Sequence, residues 1–319
     1  MHWTLNYARS LALLMPALAL AIPAFAQDRD PRLSDSQEPG SVIVFPKFIQ
    51  GTVTLPEGGT APRTEIEIGV QCPPGLTCAE HQAVKLRLHW VCPGPQHFDA
   101  KLICRETDFD VTATVWEKIV LVPDGTFTGV SNHTVPAAPC PRGYLVAWVI
   151  DTSDRPIKFD GLVGDAVIRK SGTAEAAYGA IPIQADPALA NLALITTVDN
   201  GGLVFDGGPG HYLAVTGRVR GDIKFTSTTG PTWSTGVLTL LTLDVLSNRS
   251  NNPVFVDLNF YAGNPSALGS ENLLSTFTEF VCWEEVRVDA LNRNLITSLM
   301  GRRGQLYSCL LYTSDAADE

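Results

Sequence analysis

Short segments in which apolar and polar residues alternate constrain the fold more than any other feature of this 319-residue chain. Every second residue is apolar over residues 64–70, and the same period of two recurs over 84–92, 109–115 and 254–260. Successive side chains of a β-strand point to opposite faces, so this period indicates strands with one buried and one solvated face. Such strands are typical of antiparallel sheets.

A second pattern predicts how these strands are layered. Residues 143–150 are apolar at nearly every position, which indicates a central strand covered on both faces. Many short strands separated by Gly, Pro, Asn and Asp predict an all-β fold with antiparallel β-sandwich architecture. We predict a disulfide-bearing sandwich over 41–185 and a second β-rich domain over 192–308, so that two sandwiches in tandem remain an alternative to one domain. Short helical turns are expected between them, at the Ala-rich residues 173–178 and at 186–191.

The N-terminus predicts export. Residues 11–22 form an apolar run that is too short to cross a bilayer, and Ala24-Phe25-Ala26 fits the small-x-small rule for signal peptidase. Residues 1–26 are therefore expected to be a signal peptide of bacterial type, followed by a polar, disordered leader over 27–40. The expected location is extracellular, at the cell surface or in the periplasm, where disulfides form. No later apolar run is long enough for a transmembrane helix.

The other terminus carries a different signal. Residues 309–319 begin Cys-Leu-Leu-Tyr-Thr-Ser-Asp-Ala-Ala-Asp, which resembles a translated transposase mosaic-end adapter used in sequencing. We therefore expect these residues to be a sequencing artefact and the second β-rich domain to be truncated near Ser308.

Six further cysteines predict three disulfides, because an even number in an exported chain is typical of a disulfide framework. They are Cys72, Cys78, Cys92, Cys104, Cys140 and Cys282. Cys72 and Cys78 enclose a turn-rich loop, which favours that pair. Proximity along the chain favours Cys92 with Cys104, and this leaves Cys140 with Cys282. A zinc site with His81 or His89 is disfavoured, since the spacing lacks the C-x2-C pairs of structural zinc sites.

The balance of charge limits the classes of partner. The formal net charge is −10, and no long cluster of Lys and Arg occurs. An acidic protein of this kind is not expected to bind nucleic acid or an anionic membrane surface. A glycan or a surface protein is the expected kind of partner, and no cofactor is expected apart from calcium.

Two groups of residues are candidate sites. Trp116 lies on the polar face of its predicted strand and Trp233 lies in a polar loop, so both can present an indole to a ligand such as a sugar ring. Four carboxylates crowd into a short stretch that can supply oxygen ligands to calcium: Asp151, Asp154, Asp160 and Asp165. Turn formation by Asp explains the same pattern without a metal.

These observations favour a secreted, non-enzymatic β-sandwich protein with an extracellular binding or structural role. A carbohydrate-binding accessory region of a larger secreted protein is the alternative. A secreted hydrolase ranks third, because the chain has neither a Gly-x-Ser-x-Gly nor a His-Glu-x-x-His motif.

Overall fold

A computed structural model describes the chain in segments: residues 32–51, 62–93, 104–129, 133–170, 173–198, 201–215, 218–224, 237–243, 246, 254–262, 272–280, 282–287 and 303–310. The predicted signal peptide, Trp233 and residues 311–319 lie outside them. In the described part no helix is long and apolar enough to span a membrane.

Two five-stranded antiparallel sheets build the first half of the chain. The front sheet has the order β10-β1-β7-β3-β4 and the back sheet has the order β6-β5-β2-β8-β9. Their strands are β1 Val42–Ile49, β2 Arg63–Val70, β3 Ala83–Val91, β4 Glu106–Thr114, β5 Lys118–Leu121, β6 Phe127–Thr128, β7 Arg142–Ile150, β8 Leu162–Lys170, β9 Thr173–Gly179 and β10 Ile181–Ile183.

The main hydrophobic core lies between these sheets. Leu86, Leu88 and Trp90 of the front sheet share one buried cluster with Ile66 and Ile68 of the back sheet. These are the apolar positions of the alternating segments, while Lys85 and Arg87 point to the other face of β3. The predicted antiparallel β-sandwich is confirmed.

Two local predictions are wrong. The Ala-rich residues 173–178 form strand β9 instead of a helical turn, and residues 186–191 contain hydrogen-bonded turns without a helix. Strand β9 pairs with β8 along almost its whole length, so edge pairing overrides the helix propensity of alanine. Of the predicted disordered leader, residues 27–31 lie outside the described segments; in the described part, Ser34 donates its backbone N–H to the Ala214 carbonyl (2.8 Å).

The described segments of the second half contain six more strands. They are β11 Arg218–Lys224, β12 Val237–Leu241, β13 Val254–Ala262, β14 Asn272–Phe280, β15 Trp283–Arg287 and β16 Arg303–Leu310. Strands β11, β16, β13 and β14 form one antiparallel sheet, and β12 pairs with β15.

Part of the second half covers the outer face of the front sheet. Tyr144, Val146 and Trp148 of β7 lie in a second buried cluster with Leu203, Tyr212 and Trp283. The Trp283 indole donates to the Pro46 carbonyl (2.8 Å), and the Tyr144 hydroxyl donates to the Thr242 carbonyl (2.6 Å). Strand β7 is therefore buried on both faces, as its sequence predicts.

Three disulfides form, but only one has the expected partners. Cys72 pairs with Cys78, as predicted. The other two predicted pairs are wrong, because the structure joins Cys92 to Cys140 and Cys104 to Cys282. Cys92 and Cys104 lie close in sequence, yet Cys140 precedes β7, which is the direct neighbour of β3 in the sheet. The pairing of β3 with β7 thus decides that Cys140 is the partner of Cys92. Cys104 instead links the first half of the chain to Cys282 in the second half.

Candidate functional site

The loops at one end of the sandwich form the candidate site. Strands β2, β4 and β7 finish at this end and β3, β5 and β8 begin there, as their registers require. Three loops consequently meet, at residues 71–82, 115–117 and 151–161. We call this surface the Trp116 end. Loops held by a rigid sandwich are a common location for binding residues.

Trp116 lies in the tight turn between β4 and β5, and not on a strand face as its sequence suggests. Its φ angle is 72°, in the left-handed region, and 65% of its surface is exposed. Its backbone N–H donates to the Val70 carbonyl (2.7 Å), which fixes the turn against the end of β2. A bulky residue with positive φ is a conformational outlier. The fold thus holds an indole outward on a strained backbone.

A histidine and two glutamates adjoin the turn. His81 places Nδ1 3.1 Å from Glu117 Oε1, and its Nε2 lies 3.7 Å from a carboxylate oxygen of Glu80. The Thr114 hydroxyl donates to the other oxygen of Glu117. His81 itself has a φ of 56°, so the contact between these two loops includes a second left-handed residue.

Two more left-handed residues lie at the same end. Asp154, with a φ of 65°, is in the loop between β7 and β8. Leu192, with a φ of 66°, is exposed and donates its N–H to the Lys158 carbonyl (2.8 Å). Three of the five non-glycine residues with positive φ in the described segments therefore lie in these loops; Leu192 adjoins them through its bond to Lys158, and the fifth is Cys282. Backbone strain of this kind concentrates at functional sites.

The four aspartates proposed for calcium do not converge. Asp151 accepts from Arg155 and from the N–H of Ser153, which shapes its own turn. Asp154 pairs with Lys85, and Asp165 lies on β8. Within the described residues no group of three or more His, Cys, Asp or Glu side chains is placed to hold a metal ion. Asp151 has the turn-forming role of the alternative explanation.

Asp160 has a structural role that the sequence did not reveal. Its carboxylate accepts from the Ser41 hydroxyl (2.6 Å) and from the Ala185 N–H (2.9 Å). Burial raises the pKa of Asp160, and these hydrogen bonds only partly oppose that effect. The buried Lys158 ammonium lies 3.9 Å away and donates to the carbonyls of Asp186 and Leu189, both at 2.9 Å. These contacts fix the base of the Trp116 end.

Side-chain pairing at this end was not recognisable in the sequence. Trp116 is recognisable in the sequence, but the proximity of His81, Glu117 and Glu80 to one another is not. That proximity depends on the register of β2, β3 and β5. The positive φ of Trp116 also has no sequence signal, since glycine or asparagine is the usual residue there.

Comparisons of the chain with protein-family models, with curated proteins and with solved structures found no match. The proposed function therefore depends on the geometry of the Trp116 end.

Proposed function

We propose that this protein is a secreted, non-enzymatic binding protein and that it holds its ligand at the Trp116 end. One observation carries the proposal: an indole that is 65% exposed sits on a backbone with a φ of 72°. A left-handed conformation costs a residue with a Cβ about 1–2 kcal/mol. Glycine or asparagine would form the same turn at lower cost.

Exposure removes the usual structural reason for a tryptophan. A buried indole repays strain through packing, but most of this side chain contacts solvent. Tryptophan is enriched among the few residues that dominate binding energies, because it offers a large rigid surface with an N–H donor. Recognition of a ligand is the role that accounts for both the strain and the exposure.

The proposed location has separate support. Three cysteine pairs lie at Cα–Cα distances of 5.8, 5.9 and 6.3 Å, within the range of disulfides. Disulfides persist outside the reducing cytosol. Together with the N-terminal sequence, they favour an exported protein.

A carbohydrate-binding accessory role is the second candidate, and the exposed indole of Trp116 also favours it. Sugar rings present C–H groups that can pack on an aromatic face. The two candidates share one site and differ only in the chemistry of the ligand.

The test is to probe the purified chain on arrays of extracellular polysaccharides and of peptides, beside Trp116→Gly. Glycine suits the left-handed turn, so this variant keeps the backbone while it removes the indole. We expect binding to at least one array class, and at least a tenfold loss in the variant. Binding that Trp116→Gly leaves unchanged, or no binding to either array, would refute the proposal, as would chemical turnover of the captured ligand.

A further inference from the structure

We infer that the ligand of the Trp116 end is a basic polypeptide segment, with a lysine or arginine side chain lying over the indole. This inference rests on the proposed function and specifies its partner. The face of an indole is electron-rich and attracts a cation placed over it, with tryptophan the best of the aromatic residues. The surrounding charges decide whether a cation would be favoured.

Two glutamates belong to the loops that meet at Trp116. Glu117 follows it in the chain, and Glu80 lies across the loop contact with 87% of its side chain exposed. Lys118, two residues further along the chain, is already paired with Glu67 (2.7 Å). Two carboxylates therefore contribute a negative field at this turn. A cationic partner gains from this local field, while a neutral one does not.

The charge of the whole chain acts in the same direction. A net charge of −10 attracts a basic segment from a distance and steers it toward an acidic surface. This long-range term is sensitive to salt, so it affects the rate of encounter more than the final contacts.

The hydrogen bonds at the site favour a cation over a sugar. Glu117 already receives a hydrogen bond from the Thr114 hydroxyl on one oxygen, and His81 lies against the other oxygen. Sugar recognition needs directed hydrogen bonds from hydroxyls to free acceptors, whereas a positive charge is attracted by a carboxylate whose lone pairs are already in use. A basic segment therefore fits the observed contacts better than a glycan.

The His81 ring lies 3.1 Å from a Glu117 oxygen and 3.7 Å from a Glu80 oxygen, so it occupies part of the space from which a bound cation would reach these glutamates. Replacing it should therefore strengthen cation binding. His81→Asn is suited to this purpose, since asparagine tolerates the left-handed φ of 56° and carries no charge.

The experiment is an NMR titration of the full ¹⁵N-labelled chain with acetyl-arginine-amide and with its uncharged isostere acetyl-citrulline-amide, followed at the Trp116 indole N–H. The chain has six tryptophans, and Trp116→Phe identifies the signal by its loss. We expect the arginine probe to bind about two- to fivefold more tightly than the citrulline probe, the range expected for an exposed cation–π contact. Glu80→Gln should reduce that preference, and His81→Asn should increase it.

Glu106→Gln is the matched control. Glu106 also lies beside a histidine, at 3.3 Å from His89 Nδ1, but at the opposite end of β4, and its replacement removes the same charge. It should leave the titration unchanged. Equal binding of the two probes, no response to either, or an equal effect of Glu106→Gln would overturn the inference. A response to cellobiose alone would also overturn it, while the proposed binding role of Trp116 would stand.

Discussion

Replacement of Trp116 by glycine and by alanine should show an inverted order of stability. Both substitutions remove the same indole contacts, so the difference between them reports only on the backbone. At ordinary positions alanine is the more stable residue by about 0.4–1 kcal/mol, because glycine has more freedom in the unfolded chain. With a φ of 72° the order should reverse.

The size of the reversal follows from two opposing terms. The left-handed conformation costs alanine about 1–2 kcal/mol, and the unfolded-state entropy costs glycine about 0.4–1 kcal/mol. We therefore expect Trp116→Gly to exceed Trp116→Ala in the free energy of unfolding by about 0.5–1 kcal/mol. Urea denaturation of the two oxidised variants measures this difference directly.

Glu80 provides the control for this comparison. It is exposed, lies in the adjoining loop, and is not among the residues with positive φ. Glu80→Ala should accordingly be at least as stable as Glu80→Gly. If Trp116→Ala proves more stable than Trp116→Gly, the turn is not strained in solution and the reasoning that connects strain to function fails.

Three further results are expected. Serine at both Cys104 and Cys282 removes a disulfide that joins residues 178 positions apart, so the free energy of unfolding should fall by about 4–5 kcal/mol. Chemical denaturation measures this loss, and its absence would show that the pairing is incorrect. Lys158→Met removes the donor from two part-buried carbonyls and should cost about 3 kcal/mol, measured in the same way; an unchanged midpoint would contradict the hydrogen bonds described. Burial alone raises the pKa of Asp110, but hydrogen bonds, chiefly from Arg87, lower it below the usual range. A lowered carboxyl pKa stabilises the fold above the unfolded value of about 3.9, and this stability is lost as the pH falls through the folded pKa. Wild type should thus lose more stability than Asp110→Asn between about pH 5 and pH 2, and parallel pH profiles would exclude the effect.

The strands were predictable where one face meets water. In β3 the alternation of apolar Leu86 and charged Arg87 indicates which face of the sheet is buried and which is solvated. In β7 both faces are buried, and the continuous apolar run gives its central position. Prediction was wrong at β9, where alanine contributes neither a large apolar side chain nor a polar marker, and only the pairing with β8 decides its conformation.

Strand β1 shows the same limit at a single residue. Pro46 lies inside β1, which continues to Ile49 with a shift of register between Phe45 and Phe48. Proline lacks the N–H that a regular ladder needs, and this local irregularity accommodates it. The Pro46 carbonyl still accepts from the Trp283 indole, a contact that no local pattern could indicate.

The candidate site was predictable only as a single residue. Trp116 is conspicuous in the sequence because a large aromatic residue occurs on the polar face of a predicted strand. Its partners His81 and Glu80 belong to a loop whose position depends on strand pairing, and the same dependence explains the wrong assignment of Cys92 and Cys104. Contacts between residues distant in sequence require the topology first.

The double burial of β7 has a consequence for synthesis of the chain. Its outer face carries Tyr144, Val146 and Trp148, and the residues that cover it extend to Trp283, on the order of 100 residues further along the chain. At about 5–20 residues per second, that face stays uncovered for about ten seconds after β7 has been made. A nascent chain in this interval presents an aromatic surface that chaperones recognise and that can aggregate.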